Sequence, residues 1–251
     1  MTQMLGKRPS SPAPIRSSCV VLLLALTGTA YAEQVVWTFD DVRRLGAFQV
    51  QVEGDPHRID SPMGPALEFD GHRDSLLVDG RPLVGAACFT IEVLIRPEGG
   101  EFEQRFLHIA QTDAATGLDA PPAGSVDQNA RLMFELRVVD SSWYLDAFMK
   151  SSGGGKALAL KDKLHPLGRW YAVAQSYDGK TYRTYVDGVL EGEADTPFVP
   201  HGPGRVRVGA RMNQVSYFKG AIAEARFTDR ALSPRQLLRI PHKGVHPDKR
   251  S

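Results

Sequence analysis

Glutamates stand two residues apart twice in this chain, at Glu101 and Glu103 and at Glu191 and Glu193. On a strand, residues i and i+2 share a face. Two carboxyl groups about 5 to 9.5 Å apart across a sugar bond are the apparatus of glycoside hydrolysis. Both pairs sit beside glycines, Gly99 and Gly100 for one, Gly188 and Gly192 for the other, so both read as solvated surface near turns. Trp143 and Tyr144 carry a different chemistry. They lie in the polar run from Asp140 to Asp146, which reads as a strand end, and flat aromatic faces stack on sugar rings and similar ligands. On an extended chain the two rings point to opposite sides, so at most one faces a ligand. The stretch from Asp113 to Asn129 holds two glycines, two prolines and almost no large apolar residue. A loop that long is either functional or simply mobile. Asp113 and Asn129, at its ends, are its candidate polar contacts.

Other chemistries find less support. No C-x-x-C occurs, which argues against zinc, and there is no G-x-S-x-G nucleophile turn. No glycine-rich nucleotide loop follows a strand and opens a helix. The charges, 30 basic against 29 acidic, form no basic stripe, so nucleic acid is not an expected partner.

The elements that must position these residues are strands. Val35–Phe39, Ala66–Phe69, Ser75–Val78 and Phe89–Ile95 alternate or run apolar between turn signals. So do 105–109, 131–139, 142–148, 205–208 and 220–227. Phe89, Ile91, Val93 and Ile95 share one face. The passage from Trp170 to Gly188 contains two apolar runs, each closed by Asp-Gly, at Asp178-Gly179 and Asp187-Gly188. Asp-Gly fits primed turns with positive φ at both central positions, so consecutive hairpins are expected. Trp37 and Trp170, at strand starts, read as core. Ser233 before Pro234 reads as the cap of a single helical turn. The pattern predicts an all-β, two-sheet antiparallel sandwich of jelly-roll type spanning 33–240, followed by a disordered basic tail over 241–251.

Residues 1–32 read as an address. Lys7, Arg8 and Arg16 precede the apolar run from Cys19 to Leu26, and Ala30-Tyr31-Ala32 has cleavage-site form. The apolar run is shorter than the roughly 20 residues a membrane helix needs. Export, with the mature chain starting near Glu33, is the expectation, and a retained anchor is the alternative. A secreted or periplasmic protein with no membrane span after cleavage follows. It carries 27 basic and 29 acidic residues, a net charge of −2. Cys88 is then its only cysteine, too few for an internal disulfide, and reads as a small buried hydrophobe.

In order and spacing, several segments resemble the laminin-G-like domains of the concanavalin A-like lectin/glucanase superfamily. They are Gly64–Gly71 with Asp74, Phe89–Pro97, Trp170–Gly179 with Tyr185–Gly188, Val208–Arg211, and Phe218–Glu224 with Leu232-Ser233-Pro234. The resemblance covers roughly Val35 to Leu238. It implies a jelly roll, and a calcium ion of the kind that ties the chain ends of similar domains to a sheet edge. Asp40, after the first strand, and Asp229, after the last, are the candidate ligands. It does not imply one function. The glucanase array E-x-D-x-x-E is missing. Alginate-lyase-like jelly rolls are echoed faintly by Glu135-Leu-Arg137 and by Tyr217-Phe-Lys219, but a Gln-x-His triplet is absent. The leading expectation is a secreted, non-catalytic module that binds a polysaccharide, a glycan or another surface ligand. A scaffold module for another exported protein is the rival. A jelly-roll lyase or glycoside hydrolase is the enzyme alternative.

Overall fold

The computed structural model describes residues 34–119 and 129–241. The expected signal peptide, the centre of the 113–129 loop and residues 242–251 of the expected tail lie outside the described residues. The early strands are β1 (Gln34–Thr38), β2 (Arg44–Leu45), β3 (Phe48–Glu53), β4 (His57–Ser61), β5 (Gly64–Asp70) and β6 (Ser75–Val78). The middle strands are β7 (Phe89–Pro97), β8 (Glu103–Gln111), β9 (Arg131–Val139), β10 (Ser142–Ser151), β11 (Gly154–Ala159) and β12 (His165–Pro166). The last are β13 (Tyr171–Tyr177), β14 (Thr181–Val186), β15 (Val189–Asp195), β16 (Gly204–Val208) and β17 (Lys219–Thr228).

The strands form two antiparallel sheets. The first runs β15-β14-β13-β7-β17-β5-β4, with β1 added beside β17. The second runs β11-β10-β9-β8-β16-β6-β3-β2, with β12 added beside β10. Among the described residues there is no helix. The predicted face of β7, Phe89, Ile91, Val93 and Ile95, points into the core, which also takes in Leu132, Phe134 and Leu136 of β9. Burying side chains of this size contributes roughly 1.5 to 3 kcal/mol each. Polar side chains also tie the sheets across this oily layer. Tyr182 Oη donates to Gln175 Oε1 at 2.8 Å, and Gln175 Nε2 donates to the Met133 carbonyl at 2.8 Å. This links the first sheet to the second.

The turns follow their residues. Asp187 and Gly188 both take positive φ, 49° and 71°, as a two-residue primed hairpin requires. The other Asp-Gly differs, because Asp178 stays out of the left-handed region. Its side chain instead accepts the amides of Lys180 and Thr181, and these bonds with Arg183 hold the carboxyl down to about 2. Ser233 and Gln236 close one turn by side-chain and backbone hydrogen bonds, where a helical turn was expected. Trp37 is in the core, but Trp170 is only half-buried on the outer face of the first sheet, under the Arg96 guanidinium. Cys88 is half-buried rather than buried, because it precedes β7 in a loop.

The two outer faces differ in kind. On the first sheet, the segment after β17 forms a strap. Leu232 and Leu237 pack on Ala174 and Tyr185, while Leu238 and Ile240 pack on Leu94, Ala172 and Ala223. Thr90 Oγ1 receives the Leu232 amide, and Glu92 receives the Leu238 amide. The outer face of the second sheet carries charge instead.

Candidate functional site

β8 and β9 are joined by the 113–129 loop, whose two ends meet at the rim of the sandwich. Asn129 Nδ2 donates to the carbonyls of Gln111 at 3.2 Å and Leu118 at 2.9 Å, so one amide closes the loop base. Asp113 Oδ1 receives the Ala115 and Thr116 amides and the Thr116 hydroxyl. The Thr116 amide is foremost in holding that carboxyl below the usual carboxylate range. Asp119, buried, binds Arg205 of β16 and the Thr112 hydroxyl, which anchors the described part of the loop to the second sheet.

Beside this base opens a cleft of about 160 Å³, lined by Gln111, Asp113, Asn129, Ser152, Pro200 and His201 among others. Two of the expected ligand residues, Asp113 and Asn129, therefore share one cavity wall with groups distant in sequence. His201 Nε2 lies 2.8 Å from the Lys150 carbonyl. A carbonyl only accepts, so this nitrogen carries the proton. Burial, reinforced by the Arg81 cation, holds the imidazole down to about 4, so it is neutral at pH 7. Its Nδ1 is then a buried acceptor with no partner. Histidine and serine at these positions carried no motif in the sequence, and only the fold brings them to Asp113 and Asn129.

The aromatic expectation is corrected. Trp143 is 0% exposed, in the core, packed on His165 at 5.0 Å and Tyr171 at 5.2 Å between ring centres. Tyr144 points the other way, as alternation requires, but is 5% exposed. Neither ring offers an open face for stacking. The polar run suggested a strand end, but β10 is an interior strand with β9 on one side and β11 and β12 on the other. His165 of β12 pairs directly with Trp143 and covers it.

The two aspartates expected to hold calcium stand at opposite ends of one ladder. β1 and β17 do lie side by side, but antiparallel, with Thr38 opposite Glu224 and Gln34 opposite Thr228. Asp40 follows one end of that ladder and Asp229 the other. Four residue steps at about 3.4 Å place them more than about 13 Å apart along the ladder. Calcium holds its oxygens at roughly 2.3 to 2.6 Å, so these two cannot share one ion. Among the described residues no group of three or more His, Cys, Asp or Glu side chains is arranged to hold a metal.

The outer face of the second sheet gathers the charges. Glu135 of β9 pairs with Arg105 at 2.8 Å and Arg137 at 3.2 Å, and Arg137 reaches Asp146 at 2.7 Å. Burial pushes the Glu135 carboxyl up, against the pull of Arg105. Glu103 is drawn into the same network through Arg105. Glu191, read from sequence as solvated, is instead buried against His165 at 2.9 Å. His108 Nδ1 accepts the Met212 amide at 3.0 Å, which leaves a buried Nε2–H without a partner. These acids are committed to neighbouring guanidinium or imidazole groups.

Comparison with known proteins agrees with this architecture. Domain 4 of AbnA, an extracellular GH43 arabinanase from Geobacillus stearothermophilus solved with arabinotriose, is similar with a TM-score of 0.58 and 18% identity. The match covers 82% of this chain and 96% of that one. The binding domain of Paraclostridial Mosquitocidal Protein 1 matches with a TM-score of 0.57 and 12% identity, over 80% of this chain and 50% of that one. The binding domain of botulinum neurotoxin DC, solved with SialylT, matches with a TM-score of 0.55 and 8% identity, over 80% and 49%. At such identities the likeness is one of fold. No curated protein matches the sequence. No helix among the described residues is long and apolar enough to cross a membrane. A laminin-G family model, described as concanavalin A-like lectin/glucanases superfamily, matches residues 70–237, two thirds of the chain. With its two antiparallel sheets and that match, the chain belongs to the concanavalin A-like lectin/glucanases superfamily.

Proposed function

We propose that this protein is an exported, non-catalytic glycan-binding module, and that the rim cleft beside the 113–129 loop is where the glycan binds. One observation carries the reading: the cleft collects an amide from Asn129, an amide from Gln111, the Asp113 carboxylate, a hydroxyl from Ser152 and neutral His201 around one small cavity. Sugar hydroxyls both donate and accept, so a wall of mixed donors and acceptors with a single charge suits them. The cleft contains one carboxylate rather than the two that hydrolysis needs. Structural relatives solved with arabinotriose and SialylT support a glycan as the ligand class.

Screening the 33–251 chain against arabinans, sialylated glycans and uronic-acid polymers tests the proposal, followed by calorimetry on each hit. Asn129→Ala combined with Asp113→Ala is expected to weaken binding at least tenfold. Because both side chains also support the loop base, Ser152→Ala provides a second reading with little effect on the fold. Silence across the panel, or a hit unaffected by all three substitutions, would overturn the cleft assignment. Release of reducing ends or unsaturated products during the screen would point to the enzyme alternative.

A further inference from the structure

A second cavity, about 410 Å³, opens beside the β1–β17 ladder and shares no lining residue with the rim cleft. Val35 of β1, Phe227 of β17 and Phe48 of β3 form one side, and Pro82 and Val84, in the loop between β6 and β7, form the other. Both ends of that loop are held. The Asp79 amide donates to the Gln49 carbonyl and the Gly85 amide to the His201 carbonyl, each at 2.9 Å. Between them Leu83 adopts φ 64°. A branched residue in the left-handed region costs roughly 1 to 2 kcal/mol, a strain that persists only where its surroundings hold it.

Inside this apolar wall sits Arg81, 5% exposed. Its Nε makes one long contact, 3.4 Å, to the adjacent Pro82 carbonyl, and its buried Nη1 has no partner. No carboxylate among the described residues is ion-paired with it. Arg105 and Arg207, buried to a similar degree, are both ion-paired, to Glu103 and Glu135 and to Glu53. Asp229 lines the same cavity but is exposed and does not pair with Arg81. Burial lowers the guanidinium only to about 10, so it remains a cation at neutral pH. A buried cation without a counter-charge is strongly unfavourable, and a planar fork of donors matches a carboxylate.

We propose that this cavity binds a carboxylate carried on an apolar body, with the carboxylate on Arg81 and the apolar part against Phe48, Phe227 and Val35. The site shares no lining residue with the glycan cleft, although the Arg81 cation also bears on His201 there. Calorimetry with 3-phenylpropionate, 3-phenylpropionamide and sulfate tests it on the unaltered protein. Saturable binding of the acid is expected, at least tenfold tighter than the neutral amide or sulfate. Arg81→Met is expected to abolish it, and Arg81→Lys to weaken it because the fork is lost. Removing an unpaired buried charge should leave the melting temperature of Arg81→Met at or above that of the parent. Equal binding of acid and amide, equal binding of sulfate, retained binding in Arg81→Met, or no saturation at millimolar acid would each overturn the proposal. The amide and sulfate comparisons need no variant, so they decide the matter even if Arg81→Met fails to fold.

Discussion

His201 reports on the rim cleft through its protonation. Its folded pKa lies at about 4 against an ordinary 6.5, with burial the main cause. The group therefore contributes stability that is fully present above pH 6.5 and lost as pH falls through about 4. A shift of that size corresponds to at most roughly 3 kcal/mol at 1.36 kcal/mol per unit. We expect urea unfolding of the parent to show this acid loss between those two pH values, and His201→Leu to lose less over the same window. Parallel pH profiles for the two proteins would contradict the assignment. Trp143 makes the opposite case, a residue whose chemistry looked available and is not. Trp143→Ala is expected to cost roughly 3 to 5 kcal/mol of stability, as removal of a large buried aromatic does. Trp143→Phe, which keeps an aromatic ring against His165 and Tyr171, should cost much less. Measured unfolding free energies check both. The sequence correctly sends Trp143 and Tyr144 to opposite faces. It could not show that β12, a two-residue strand 22 residues after Trp143, would close over the ring.

Elements constrain backbone as well as side chains. β17 serves three partners, with β7 along one side and β5 then β1 along the other. At Gly220, φ is +146° and an added Cβ would stand 2.2 Å from the Arg96 carbonyl oxygen of β7. Gly220→Ala is therefore expected to destabilise by roughly 3 kcal/mol or more, by strain and clash together. A melting temperature unchanged from the parent would refute this tight pairing. The strap after β17 offers a second test. Ending the chain at Thr228 uncovers Ala174, Tyr185, Leu94 and Ala172. Loss of several buried leucine and isoleucine side chains, at roughly 1.5 to 3 kcal/mol each, should lower stability markedly and promote self-association, visible by light scattering. The alternation of β7 and the Asp187-Gly188 turn were legible because each depends on neighbours a few residues away. β4 and β11 escaped because their sequences are polar or glycine-rich and their strand character comes from pairing with β5 and β10, whereas β3 alternates Phe48, Val50 and Val52 and its signal was present in the sequence. The separation of Asp40 from Asp229 was not legible for a related reason. Adjacency of first and last strands can be expected, but the direction of the ladder decides which ends meet.

At the scale of the whole molecule, the two sheets bury one oily layer and leave two unlike surfaces, one strapped and one charged. The rim connects them, and there the loop ends, the β16 approach and the β10–β11 turn converge. Asp113 and Asn129 were readable as ends of an unusual loop. Gln111, Ser152 and His201 were not, because no local pattern marks residues that become neighbours only when two sheets stack. Fold is poor evidence for function in this superfamily, so the cleft is what favours a glycan. Backbone amide chemical-shift mapping during titration with the best glycan from the screen tests it most directly. The account predicts that shifts cluster at 111–118, 129–130, 152 and 199–202. Shifts confined to the outer face of the second sheet around Arg137, Glu135 and Tyr144, with the rim unmoved, would contradict it.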